Sequence, residues 1–320
     1  DYRRRYRHVI GTWLEEDKTG RVDITSTGKV NVNGNNSVGY ILVQGEGSNA
    51  GNITVNAQNA LGFYGKTGKF ENTGTITLDA KKTVGIYTPK SNISKVGNII
   101  MTNNADSSVG IYLTQEAKAD GTGSVIDLNS NSQNQVAYYI KGKGTISNSI
   151  GNIKGYGVGV YLDGTDSTGT ALATPAQLNA PALDFVSGSS TKGKGIIGLL
   201  LKGNTEIKDY IAGIKVGDTV PKTKTDAAKY AIGIYSMGQG TSTTAYEINT
   251  SITTGANGVG LYADKDKSVT GSTSNIKYKG IIEVGNKTDA GIGIFIANGK
   301  VTLDNTTKIR LNGDAGVGVI

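Results

Sequence analysis

The sequence predicts an all-β chain wound as a right-handed parallel β-helix, a solenoid of about eleven coils with surface-loop insertions. Three observations lead there. A four-residue phrase, aliphatic–Gly–aliphatic–aromatic, returns along the whole chain. Short strand-like pieces with alternating aliphatic residues lie between its copies. Gly, Asn, Asp, Ser and Thr punctuate these pieces, and no long segment carries apolar residues at helical spacing. Self-similarity at this scale means stacked units, each burying its apolar side against its neighbours.

The phrase is clearest at Val84-Gly85-Ile86-Tyr87 and Val109-Gly110-Ile111-Tyr112. It recurs at Leu61 to Tyr64, Val158 to Tyr161, Ile232 to Tyr235, Val259 to Tyr262 and Ile292 to Phe295. Weaker copies begin at Val38, Val136, Ile197 and Val317, with Ala137 in the glycine place of the second of these. The spacing between copies ranges from 22 to 39 residues. The short spacings define the basic coil, and the long ones carry insertions at 163–195, 215–229 and 263–280. Each coil holds a second kind of strand before the phrase, as in Asn52-Ile53-Thr54-Val55, Thr75-Ile76-Thr77-Leu78 and Lys308-Ile309-Arg310-Leu311. A third often follows it, as in Lys69-Phe70-Glu71-Asn72. Parallel crossovers are almost always right-handed, which sets the expected hand of the coil. Eleven coils stacked at about 4.8 Å make a rod on the order of 50 Å long.

Strand alternation assigns the faces. Val109, Ile111 and Leu113 fall on one side and are assigned to the interior. Gly110 and Tyr112 then face outward, and successive coils stack the tyrosines into an external ladder. On that assignment the glycine either relieves crowding beside the aromatics, allows a close backbone turn, or leaves a shallow outer trough.

Composition removes several function classes. Glycine is abundant (47) but proline is scarce (4) and no Gly-X-Y period exists, which excludes collagen. There is no cysteine, so disulfides and thiolate metal sites are impossible. The one histidine is His8. No run of 18 apolar residues marks a membrane-spanning helix. The net charge of +7 is spread along the chain apart from Arg3, Arg4, Arg5 and Arg7. That basic start (residues 1–20) reads as linker or end coil, with Trp13 placed to cover the tube end. Neither nucleic acid nor a cofactor is expected as a partner. Gly155-Tyr156-Gly157-Val158-Gly159 only superficially resembles a dinucleotide loop, because no helix pattern follows it.

Candidate chemistry is sparse. The outward row of the strands preceding the phrase reads Thr54, Thr77, Asp127, Glu283 and Arg310, with its two acids five copies apart. Glycoside hydrolysis needs a carboxylate pair, so this row offers no such site. Loop acids such as Asp163, Asp166 and Asp184 read as solvated side chains or as groups brought together by folding. The repeated exposed-type residue is tyrosine, whose flat face and hydroxyl suit sugars and protein surfaces. The candidate ligand contacts are Tyr64, Tyr87, Tyr112, Tyr161, Tyr235 and Tyr262, joined by Asp163, Asp166, Lys192 and Lys194 of the longest insertion. The alternative for the tyrosines is that they stack on one another and stiffen the rod.

The recurrent V-G-I-Y phrase, set in coils of the form N-x-G-x-I-x-L, resembles the passenger regions of large fusobacterial autotransporter adhesins. The resemblance spans about 21–320. It implies a type V secreted protein held at the bacterial surface, with a signal peptide upstream and an outer-membrane β-barrel downstream. It implies a monomeric, non-enzymatic rod that mediates coaggregation or host-cell attachment through a protein or glycan receptor. The chain begins without methionine and stops inside a repeat, consistent with a piece of a longer passenger. Two alternatives stand beside it: a surface enzyme that degrades polysaccharide, and a tail-spike-like trimer.

Overall fold

The computed structural model describes residues 8–12, 20–128, 132–147, 150–179, 182–187, 195–208, 213–217, 231–269, 272–285, 290–313 and 315–320. Among the described residues the regular elements are all strands and the ladders between them all parallel, and the one antiparallel contact is an isolated bridge between Thr165 and Ala171. The chain is therefore a β-solenoid. The basic start (1–7) and Trp13 lie outside the described residues.

Each coil passes through three faces. The motif face carries the recurrent phrase, as in Val84–Thr88, which pairs with Leu61–Gly65 below and Val109–Gln115 above. The second face follows, as in Lys69–Asn72. The third face is an unbroken ladder of eleven strands from Lys29–Val32 to Lys308–Leu311. Val136–Ser147 runs without a break from the motif face into the second, a single strand of 12 residues.

The interior is one continuous apolar column. On the third face alternate residues point in, giving Ile53 and Val55, Ile76 and Leu78, then Ile99 and Met101, all buried. The outward residues Thr54, Thr77 and Asp127 are not buried, as alternation predicts. Early coils add aromatic bulk: Phe63 stacks on Phe70 at 3.7 Å, and Tyr40 stands edge-on to both. The Tyr40 hydroxyl donates to the Val22 carbonyl at 2.7 Å, so its polar end is satisfied inside the tube.

The motif face departs from simple alternation. Its burial runs half-buried, buried, buried, half-buried, buried along Val84–Thr88. Ile86 and Thr88 point inward and Tyr87 outward, but Gly85 is also buried. A Cβ on Gly85 would lie 2.6 Å from the Gly110 carbonyl oxygen and 3.4 Å from two carbons of Ile99. The motif glycines thus face the third-face aliphatics, not the solvent, and the first aliphatic of most copies is half-buried instead of core. The ladder explains this: Val84 pairs with Val109 and Ile86 with Ile111, with the glycine skipped between them. The strand bends at each glycine and presses its backbone onto the opposite wall. Neither an outer trough nor relief beside the tyrosines is the glycine's role.

The turn into the motif face repeats as well. Asn36, Asn59, Lys82, Ser107, Asn134 and Asn257 all have positive φ, each two residues before the phrase. Asparagine tolerates this left-handed conformation better than most residues. The amide of Lys82 donates to the Asp106 carbonyl at 2.9 Å and that of Ser107 to the Gln133 carbonyl at 2.8 Å, so the corners form their own ladder. Between the second and third faces, buried Asn49 donates to Asn72 at 2.7 Å, and Asn72 donates to the Val96 carbonyl at 2.6 Å.

The expected insertions are shorter than the spacing suggests. Within 163–195, Asp163 and Gly164 are the last two residues of the strand Gly157–Gly164, while Ala176–Asn179 and Leu183–Ser187 are ordinary strands of the second and third faces. Within 215–229, Ile214–Val216 is a third-face strand and 218–229 lies outside the described residues. Within 263–280, Ser274–Lys279 is a strand. Polar residues such as Gln177, Asp184 and Lys277 occupy outward positions and mask these strands to a reading by composition.

A cleft at the interrupted second face

The outer tyrosines form the expected ladder. Tyr64, Tyr87, Tyr112, Tyr139 and Tyr161 occupy successive coils, with ring centroids 4.8 to 5.5 Å apart. Leu200 breaks the series, and Tyr235, Tyr262 and Phe295 resume it. Every ring is half-buried by its neighbours. Burial pushes Tyr112 and Tyr235 up to about 12. Burial also raises Tyr139 and Tyr161, reinforced by the carboxylate of Asp163. Tyr139, from the weaker copy with Ala137 at the glycine place, belongs to this ladder although it was not among the candidate contacts.

The acids of the motif-face edge have specific partners. Asp163 is buried; it accepts from the Tyr139 hydroxyl, from the Thr165 amide at 2.9 Å and from the Thr165 hydroxyl at 2.6 Å. Lys141 Nζ lies 3.7 Å from it. Asp163 is therefore an internal clamp between coils. Asp166 accepts from the Thr168 hydroxyl at 2.7 Å and from the amides of Thr168 and Thr170. These bonds, led by the Thr168 hydroxyl, hold its carboxyl below the usual range. It fastens a small hairpin closed by the bridge between Thr165 and Ala171. Asp184 is exposed on the third face. Lys192 and Lys194 lie outside the described residues. Glu283, on the third face, is held by Arg310 at 2.5 Å.

The second face is interrupted between Thr205–Lys208 and Tyr246–Asn249. The first of these strands pairs with Ala176–Asn179, whereas the second starts a separate three-stranded sheet. The corners between motif face and second face vary in length around this point, from 165–175 in one coil to a single residue in the next. The coil containing Leu200 turns from its motif strand Ile196–Gly203 to Thr205 through Asn204 alone. The next coil inserts 238–245 at the same corner, and the one after it inserts 265–273. A cleft of about 630 Å³ lies among these corners.

The walls of this cleft are latched. On one side Asn204 Nδ2 donates to the Leu172 carbonyl at 2.7 Å and the Asn204 amide to the Gly164 carbonyl at 3.1 Å. On the other, buried Gln239 donates to the Gly203 carbonyl at 2.9 Å and accepts from the Thr205 hydroxyl at 2.7 Å. The Asn275 amide donates to the Gln239 carbonyl at 2.8 Å, and Asn275 Nδ2 to the Thr241 carbonyl at 2.7 Å. Gly238, with φ of 66°, lets two loops meet, since a Cβ there would stand 2.3 Å from Ser272 Oγ. Tyr246 lines the cleft with its hydroxyl 3.3 Å from Thr205 Oγ1, and burial pushes its pKa up to about 12.

Asp266 is the one carboxylate among the described residues lining the cleft. It is 3% exposed. Its Oδ1 accepts from the Ser268 amide at 2.9 Å and the Ser268 hydroxyl at 2.5 Å. Its Oδ2 has no hydrogen-bond partner, and Lys202 Nζ stands 4.0 Å away. Sequence reasoning placed insertions on both flanks but missed Thr205, Gln239, Tyr246 and Asp266. The 238–245 corner sits in a coil of ordinary length, so spacing carried no signal for it.

Comparison with protein-family models, with curated protein sequences and with solved structures returned no match.

Proposed function

We propose that this solenoid is the rod of a bacterial surface adhesin, which binds a receptor and does not transform it. The single observation that carries the reading is the latched cleft, built where corner loops decorate an otherwise regular stack. Solenoids gain binding surfaces through such per-coil additions while the stack itself supplies rigidity. The resemblance of the recurrent phrase to autotransporter passengers supports the surface setting. Asp266 is the only carboxylate lining the described part of the cleft. Glycoside hydrolysis ordinarily employs two, which favours retention of a ligand over its cleavage.

The test is competition. Purified protein, added at rising concentration, should block attachment of the bacterium that carries it to its partner cells, and the block should saturate. Folded protein that never competes would remove the adhesin reading for this stretch. Release of reducing ends from a polysaccharide panel would replace it with the enzymatic alternative.

A further inference from the structure

We infer that the outer surface of the motif face is an interface between two copies of this chain, packed as parallel rods about a twofold axis that runs along them. This goes beyond the adhesin reading and does not rest on it. It departs from the monomeric rod that the family resemblance implies.

The first observation is a ribbon of apolar side chains on the outside of the solenoid. The leading aliphatic of the phrase stacks coil on coil from Leu61 through Val84 and Val109 to Ile292. The ladder from Tyr64 to Phe295 runs beside it, with Leu200 in its one aliphatic place. All of these residues except Val259 are half-buried, so each keeps part of its surface in water. The other two faces are unlike this one. Their outward positions hold exposed residues such as Asn31, Asp127, Lys154 and Asp184 on the third face and Glu46 and Lys69 on the second. The glycine and inner aliphatic of the phrase serve the interior. The leading aliphatic and the aromatic do not, and a long apolar ribbon on one face alone marks a contact surface.

The second observation is that the ribbon complements itself. Its two rows differ in size. A twofold axis along the rod lays the aromatic row of one copy over the aliphatic row of the other, large side chains over small, in every coil. Turning one rod end over end would instead set aromatic on aromatic. A second copy also has the same strand spacing of about 4.8 Å, so the match holds along the whole ribbon, whereas a globular partner meets only a few coils.

The third observation is area. Roughly nine coils with about five residues of each strand make a ribbon about 43 Å by 16 Å, or about 700 Å² per copy. A stable interface buries about 800 Å² per partner, so the ribbon is of the size a dimer needs.

The fourth observation is the rim. Tyr139 donates to Asp163, and the Tyr235 hydroxyl lies 3.4 Å from Asp264. Lys141 stands 3.7 Å from Asp163 and Lys202 4.0 Å from Asp266. A partner can cover the rings without stranding these hydroxyls and ammonium groups. An apolar centre with its polar groups at the edge, rich in tyrosine, is the usual anatomy of a protein interface.

The experiment is sedimentation equilibrium of the folded protein over a range of concentrations. The wild type should reach twice the chain mass and no more. In the double variant Val109→Glu/Ile232→Glu the dissociation constant should rise by about tenfold or more, because each pair buries four unpaired carboxylates. Ser242→Trp, at the exposed rim of the cleft, should dimerise as the wild type does. Thermal melting checks that each variant is folded. Orientation is read by crosslinking, since the chain has no cysteine of its own. Val109→Cys and an affinity-tagged Tyr112→Cys are mixed and treated with a bismaleimide reaching about 10 Å, the face-to-face spacing of packed sheets. Mixed pairs should be captured far more than pairs within either variant alone. A wild type that stays monomeric to its solubility limit overturns the inference, as does a trimer. Dimers that survive Val109→Glu/Ile232→Glu, that are lost in folded Ser242→Trp, or that give no mixed crosslink overturn it as well. None of these results bears on the attachment-blocking test, so the adhesin reading stands or falls separately.

Discussion

A Cβ on Gly110 would stand 2.7 Å from the carbonyl oxygen of Ala137 in the next coil, so these two residues meet backbone to backbone inside the solenoid. The same Cβ would press on Ile126 Cγ2 at 3.3 Å. The recurrent glycine is thus a steric requirement of the interior. Gly110→Ala should destabilise the protein by about 1–3 kcal/mol, the usual cost of overpacking. An outward glycine in a strand would show the opposite sign, because alanine restricts the unfolded chain. Urea unfolding of the variant reads that sign directly.

The corner before each phrase makes a second prediction. Lys82 adopts φ of 56° where Asn36, Asn59, Asn134 and Asn257 occupy the equivalent place. Lys82→Asn should raise stability by about 0.5 kcal/mol, since asparagine is less penalised in the left-handed region. Its side chain is exposed, so packing does not offset the gain. A higher unfolding midpoint at equal slope is the expected outcome.

Buried Asn72 bridges two coils, accepting from Asn49 and donating to Val96. Asn72→Ala leaves both partners unsatisfied and should cost about 2–4 kcal/mol. Asn49→Ala and the double variant complete a cycle. Direct contact predicts a coupling above about 0.5 kcal/mol, whereas independent side chains would give none.

The aromatic groups predict an alkaline limit. Tyr112, Tyr138, Tyr235 and Tyr246 are each pushed up to about 12, chiefly by burial. The unfolded chain releases these protons near pH 10 while the folded chain keeps them. Folding stability from this source is complete below about pH 10 and falls as pH rises toward 12. Tyrosinate absorbance should therefore rise together with loss of the β-sheet signal in circular dichroism. Smooth titration near pH 10 with the sheet intact would contradict the burial of these rings.

Much of the fold was legible because stacking imposes its period on every coil. The phrase marked the motif face, and Ile53, Ile76 and Ile126 marked the third-face interior through strict alternation. Alternation failed at Gly85 and its equivalents because the strand bends there and places two consecutive residues inward. Nothing in a local pattern distinguishes a bent strand from a straight one. The outer tyrosines were legible as a ladder, and Tyr139 of the weaker copy with Ala137 joins it. The cleft was not legible. It is lined by corner residues of several coils, among them Asn204, Gln239 and Asp266, and coil length alone does not say where in a coil the extra residues fall.

The most direct test of the account is attachment blocking by the wild type and by Ser242→Trp, compared at equal folded concentration. The account predicts saturable inhibition by the wild type and loss of most of it in the variant, with the two proteins melting alike. Equal inhibition by both would move the receptor site off the cleft, and inhibition by neither would contradict the assignment of attachment to this part of the rod.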